Sequence, residues 1–158
     1  MITQLDLEAL VKAAKLAGFN VEVESLQLLT WNAGPATHIP KKLPVGYAAV
    51  YIFQLNNTRS PIFLKVGKAN SNSNARYQSH HYSPDSSNSN LARAIITGDP
   101  EFHALGAYIP ETDIGVWIKE RTNRFNILIP KELGKNFVHF AEAFFILKCK
   151  PFFENSRT

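Results

Sequence analysis

Apolar and polar positions change period several times along the chain, and each change predicts an element. Leu7, Leu10, Val11, Ala14 and Ala17 recur every three or four residues, the spacing of an amphipathic helix. Thr3 and Asp6 stand ahead of it at capping-box spacing, and Gly18 is a natural stop. Phe19, Val21 and Val23 then alternate with Asn20, Glu22 and Glu24, which predicts a half-exposed strand. Residues 32–44, with Gly34, Pro35, Pro40 and Pro44, read as a loop. The β-rich run from Gly46 to Phe53 and the run from Ile62 to Gly67 are separated by turn residues, Asn56-Asn57 and Ser60-Pro61, and predict an antiparallel hairpin.

Residues 70–90 hold twelve Ser or Asn in twenty-one positions, the composition of a flexible linker. Arg76, Tyr77, His80, His81 and Tyr82 interrupt that tract at helical spacing, and Ser73 and Ser89 are placed as N-caps of two short helices. Leu91, Ala94 and Ile95 give the second helix an apolar face that Gly98 ends. A helix near Asp113–Arg121, a strand over Arg124–Ile129 and a helix from Asn136 to Lys150 follow, the last two stopped by Pro130 and Pro151. Phe137, Val138, Phe140, Ala141, Phe144, Phe145, Ile146 and Leu147 make that last helix apolar nearly all round, which predicts a mostly buried helix.

Composition narrows the class. The 158 residues, 45% hydrophobic and 19% charged, suit one domain, or one domain plus a small appendage, and exclude a disordered chain or a coiled coil. The longest apolar run, Val45–Phe53, is far below the ~20 residues of a membrane span, so no membrane partner is expected. Asp6 and Glu8 lie inside the first apolar pattern, which is not that of a signal peptide. Cys149 is the only cysteine, so no intramolecular disulfide can form, and a reducing, cytoplasmic setting is the expectation.

Charge is distributed unevenly. The net charge is +4, yet residues 1–30 hold two basic and four acidic side chains. No Asp or Glu occurs between Glu24 and Asp85, while Lys41, Lys42, Arg59, Lys65, Lys68 and Arg76 all fall in that gap. A stretch this one-sided attracts a polyanion such as a nucleic acid. A chance run of neutral residues on a mildly basic domain would look the same.

Glu142 is the anomaly of the last helix. Its neighbours one turn away are Val138, Phe145 and Ile146. An unpaired carboxylate in such surroundings costs several kcal/mol, so an Arg or Lys partner, a proton or a metal ion must compensate. Other common chemistries find no pattern: there is no Cys-x-x-Cys, no His-Glu-x-x-His and no Gly-x-Ser-x-Gly, and Ile62 stands where a phosphate-binding loop ending at Gly67-Lys68 needs its first glycine. Cys149 follows an apolar stretch and reads as an inert packing residue.

Five pieces stand in a definite order: Ala49-Val50-Tyr51 in the first strand of the hairpin, Lys65-Val66-Gly67-Lys68 in the second, Arg76 with His80 a helical turn later, Glu142 in the late helix, and Asn155. This set resembles the GIY-YIG nuclease superfamily over about Val45 to Asn155. The resemblance implies an α+β fold, a three-stranded antiparallel sheet flanked by helices, here over residues 41–158 with residues 1–40 as an N-terminal helix–strand extension and loop. It implies an endonuclease that hydrolyses DNA phosphodiester bonds with one Mg²⁺ (or Mn²⁺). Tyr51 would accept a proton from the attacking water or orient it, Arg76 would bind the scissile phosphate, and His80 would assist proton transfer or hold a phosphate oxygen. Glu142 would be the sole protein ligand of the metal, Lys68 would bind phosphate, Gly67 would let the backbone turn closely into the first helix, and Asn155 would brace the site. Lys65 stands where the second motif has a tyrosine, and there it would stabilise an oxyanion or lower a neighbour's pKa. A homodimer is expected of a palindromic cutter. The rival readings are a DNA-binding module that keeps the fold without cleaving, and a partner-binding protein whose Phe-rich helix forms an interface.

Overall fold

β-branched and aromatic residues after Gly46 and after Pro61 form the two long strands that hold the chain together. In the computed structural model, which describes residues 1–86, 90–98, 100–105 and 113–153, these are β2 (Tyr47–Leu55) and β3 (Ile62–Ala69), paired antiparallel. They are preceded by α1 (Gln4–Leu16) and β1 (Gln27–Trp31). After them come α2 (Asn74–Gln78), α3 (Leu91–Thr97), α4 (Pro100–Ala104), α5 (Ile114–Arg121), β4 (Thr122–Pro130) and α6 (Gly134–Cys149).

The fold is α+β, with one antiparallel sheet in the order β1-β4-β2-β3. The expected three strands are therefore four. The additional strand is β1, which the N-terminal extension adds to the outer side of β4 with Leu29 opposite Asn126. The strand expected over Phe19–Glu24 is not one. Phe19 instead packs its ring on Phe137 and Phe140 of α6, at 5.4 and 5.3 Å, and Val23–Ser25 forms a tight helical turn before β1. Alternation there reports burial against a helix rather than membership of the sheet.

Each sheet face carries its own core. Val50, Ile52, Val66, Ile127 and Ile129 pack on one side under α1 and α6. Ala49, Phe53, Leu64 and Leu128 pack on the other with Tyr77, Leu91, Phe102, Trp117 and Ile118 from the helices that follow the hairpin. The hairpin register slips between Phe53 and Gln54, where β3 inserts Leu64 as an extra residue. Beyond that bulge Lys65 and Gly67 share the face of Phe53 and Tyr51, whereas Val66 and Lys68 share the face of α6. α6 is less enclosed than its composition suggests: Phe137, Ala141 and Phe145 are fully buried, but Leu147 points to solvent. No helix among the described residues is long and apolar enough to cross a membrane.

Local chemistry sets the helix ends. Thr3 and Asp6 form the expected capping box of α1. Ser73 precedes α2 without a side-chain cap bond, and Ser89 lies outside the described residues. Asn90 caps α3 instead, its side-chain oxygen accepting the Arg93 amide at 2.7 Å.

Asp6 also pairs with Lys148 of α6 at 2.9 Å, tying the first helix to the last. Burial raises the Asp6 carboxyl, but the Lys148 ammonium and the Thr3 donors outweigh it and leave the pKa lowered. A carboxyl with a depressed folded pKa stabilises the fold above the unfolded value of 3.8, and that contribution is lost as pH falls through the folded pKa. Urea unfolding of Asp6→Asn should therefore show a loss of roughly 0.5–1 kcal/mol at pH 7. The difference from wild type should shrink towards pH 3.

Candidate active site

Tyr51 lies in β2 directly opposite Gly67 of β3. Its ring crosses the neighbouring strand: a Cβ on Gly67 would fall 2.6 Å from the phenol oxygen and 2.7 Å from two ring carbons. Gly67 is thus needed inside the strand, for the phenol's passage, and not for a turn into the following helix. The crossing carries the phenol towards β3, an outer strand of the sheet whose Phe63 and Leu64 carbonyls accept the backbone N–H groups of Phe152 and Phe153.

Two cations and a carboxylate collect at that edge. Arg76 of α2 donates from Nε to the Lys68 carbonyl at 2.9 Å, which fixes its guanidinium at the end of β3. Lys68 turns to the opposite face and donates from Nζ to Glu142 Oε2 at 2.5 Å. Glu142 therefore has a lysine partner, the first of the three compensations its helix position demanded. A hollow of about 350 Å³ opens here, lined by Lys68, Asn70, Ser73, Arg76 and His139. The phenol feels both neighbours: burial pushes the Tyr51 pKa up, the guanidiniums of Arg76 and Arg124 hold it down, and the Glu142 carboxylate raises it.

The structure brings Tyr51, Gly67, Lys68, Arg76 and Glu142 together and sorts the other candidates differently. Lys65 is buried on the Tyr51 face, where its charge helps keep His81 neutral. His80 and His81 are both buried, but the phenol's partner is His81, with Nε2 at 2.6 Å from Tyr51 Oη. The reason is local. The Arg76–His80 spacing presumes a continuous helix, whereas α2 ends at Gln78 and a tight turn over His80–Tyr82 rotates the next side chain inward. Asn155 lies outside the described residues.

Arg124 escaped the sequence reading. It is fully buried on the Tyr51 face of β4, its guanidinium carbon 4.4 Å from the Trp31 ring centre, 4.8 Å from that of Tyr51 and 4.9 Å from that of Tyr77. It donates to the Tyr77 carbonyl at 2.6 Å, Asn126 Oδ1 at 2.9 Å and the Tyr82 hydroxyl at 3.2 Å. His38 closes this network, with ring nitrogens 2.6 Å from the Tyr82 hydroxyl and 2.9 Å from the Thr122 carbonyl. Burial lowers the His38 pKa to about 4, so the ring is neutral at pH 7. His139 was also missed, although it stands three residues before Glu142 on one helix face. Cys149 is buried and its thiol pKa is pushed up to about 12 by burial, which suits a packing residue.

Among the described residues no three His, Cys, Asp or Glu side chains gather into a metal-binding group. Glu142 supplies a carboxylate beside this edge, Asn70 and Ser73 add neutral oxygens in the hollow, and Lys68 engages Glu142 at Oε2. That donor set fits a Mg²⁺ that keeps most of its waters. With Arg76 and Lys68 beside it, the hollow suits an anionic phosphoryl group.

The Tyr51 crossing can be tested by a double-mutant cycle. Gly67→Ala should cost about 1–3 kcal/mol in urea unfolding, because the new methyl overlaps the phenol ring. In a Tyr51→Ala background the same change should cost almost nothing. No protein-family model matches this chain, and neither does any curated protein or solved structure.

Proposed function

We propose that the protein is a metal-dependent endonuclease that hydrolyses DNA phosphodiester bonds at the β3 edge, with a site of GIY-YIG type. The observation that carries this reading is a polar hollow lined by Lys68 and Arg76, each of which engages a second candidate from a distant segment, Glu142 for Lys68 and the buried Tyr51 for Arg76. The acid-free stretch between Glu24 and Asp85 supplies Lys68 and Arg76, so the substrate's charge and the site's charge are complementary.

In this mechanism Arg76 holds the non-bridging oxygens of the scissile phosphate through the N–H groups that engage neither the Lys68 carbonyl nor the Tyr51 hydroxyl. Tyr51 is fully buried in the unbound protein, so Arg76 must shift towards the phosphate to admit a water beside the phenol, and that water attacks phosphorus. Its proton passes to the Tyr51 oxygen, the bond from phosphorus to the leaving oxygen breaks, and that oxygen takes a proton from solvent. The proton-accepting form of Tyr51 is the phenolate, a minor fraction at neutral pH because burial raises the phenol. Mg²⁺ held by Glu142 would neutralise charge gathering on the leaving oxygen. Lys68 keeps Glu142 in place and adds positive charge at the mouth of the hollow.

A second reading has a specific basis. Lys65 replaces the tyrosine of the second motif, and Lys68 already neutralises Glu142, so the same edge would also serve a DNA-binding module that does not cleave. Incubation with supercoiled plasmid separates the two. Nicked or linear product should appear with Mg²⁺ and vanish with EDTA, the rate should rise with pH above 7, and Arg76→Ala and Glu142→Gln should each lower it about a hundredfold or more. Plasmid left intact by wild type, yet retarded on a gel, would establish the binding module instead.

A further inference from the structure

The Tyr51–His81 contact has a direction, and the start of α3 sets it. His81 Nδ1 accepts the backbone N–H of Leu91, the first residue of α3, at 3.1 Å. An amide nitrogen can only donate, so Nδ1 carries its lone pair. The ring is fully buried, and burial lowers its pKa well below 6.5, with Arg124, Lys65, His80 and Arg76 adding to that effect. A neutral ring with a bare Nδ1 must carry its hydrogen on Nε2, which stands 2.6 Å from Tyr51 Oη. The phenol oxygen is therefore the acceptor in this bond, and its own hydrogen has to point elsewhere.

We infer that His81 is the positioning residue of Tyr51: its Nε2–H holds the phenol oxygen in one orientation and stabilises the phenolate that takes the water's proton. This rests on the reading of Tyr51 as proton acceptor. His81 gains and loses no proton itself, since the Leu91 amide occupies Nδ1 throughout. Arg124 supports the same state from behind the ring, at 4.8 Å. The charged and titratable groups facing the pair are Lys65 from β3, Arg76 from α2, His80 from the intervening turn, Arg124 from β4 and Glu142 from α6. Of these only Glu142 opposes the phenolate. Glutamine at position 81 can present an N–H near the place of Nε2, whereas phenylalanine fills the space without a donor.

Two measurements on the full chain test this. First, ¹⁵N spectra of histidine-labelled protein should show His81 with hydrogen on Nε2, none on Nδ1, and no titration between pH 5 and 9. A hydrogen on Nδ1, or a titration near 6.5, would overturn the assignment whether or not the protein cleaves DNA. Second, the Tyr51 phenol, followed by ¹³C labelling of the carbon bearing its oxygen, should ionise at higher pH in His81→Phe than in wild type and return in His81→Gln. In plasmid cleavage His81→Phe should lower kcat about tenfold to a hundredfold with KM unchanged and move the alkaline rise of the rate to higher pH, and His81→Gln should restore both. An unchanged phenol titration in His81→Phe would refute the positioning role. Failure of wild type to cleave would instead count against the proposed function and leave the two spectroscopic results decisive.

Discussion

One crossing organises the candidate site of this molecule: the Tyr51 ring lies over the backbone of β3 at Gly67, the one place on that strand opposite it where no side chain intervenes. The ring stays fully buried in the core, yet the crossing brings its hydroxyl to the guanidinium of Arg76 and into the field of Glu142. The bulge at Leu64 serves the same end. It sets which face each later β3 residue takes, so Gly67 meets the phenol while Lys68 turns towards α6. A single strand thus presents its carbonyl to Arg76 at the end of the chain segment and its lysine to Glu142 on the other side.

Behind the phenol, Arg124 is a cation enclosed by aromatic rings, with no carboxylate in ion-pair range among the described residues. Removing a charge from water costs several kcal/mol, and here that cost is offset by hydrogen bonds to Tyr77, Asn126 and Tyr82 and by contact with the faces of Trp31, Tyr51 and Tyr77. Leaving the charge unneutralised has a consequence for its neighbours. His38 and His81 are held neutral in part by Arg124, and the Tyr51 phenol is drawn towards ionisation against its own burial. The network is hydrophobic in extent and electrostatic in purpose.

Much of this was legible in the chain. The capping box of α1, the hairpin, and the strand and helix before and after Pro130 follow from period and punctuation, which are local properties. Glu142 announced itself because a carboxylate among Phe and Val violates its surroundings, but its partner is 74 residues away and no local signal selects Lys68 from the other lysines. Arg124 and Asn126 alternate with Phe125 and Ile127, which reads as the polar, solvated side of a strand. That side is covered by helices, and only the three-dimensional packing makes its arginine a buried one. The exchange of His81 for His80 has a smaller cause, the ending of α2 one residue before Ser79, and helix ends are where sequence patterns are least exact.

The proposed function requires a DNA phosphate to enter the hollow at the β3 edge, against Arg76 and in front of Tyr51. A crystal structure of the Glu142→Gln protein with a short DNA duplex tests it most directly. A backbone phosphate should lie within hydrogen-bonding distance of the Arg76 guanidinium and close to the Tyr51 oxygen. A duplex seated on another face, with Arg76 and Tyr51 far from any phosphate, would contradict it.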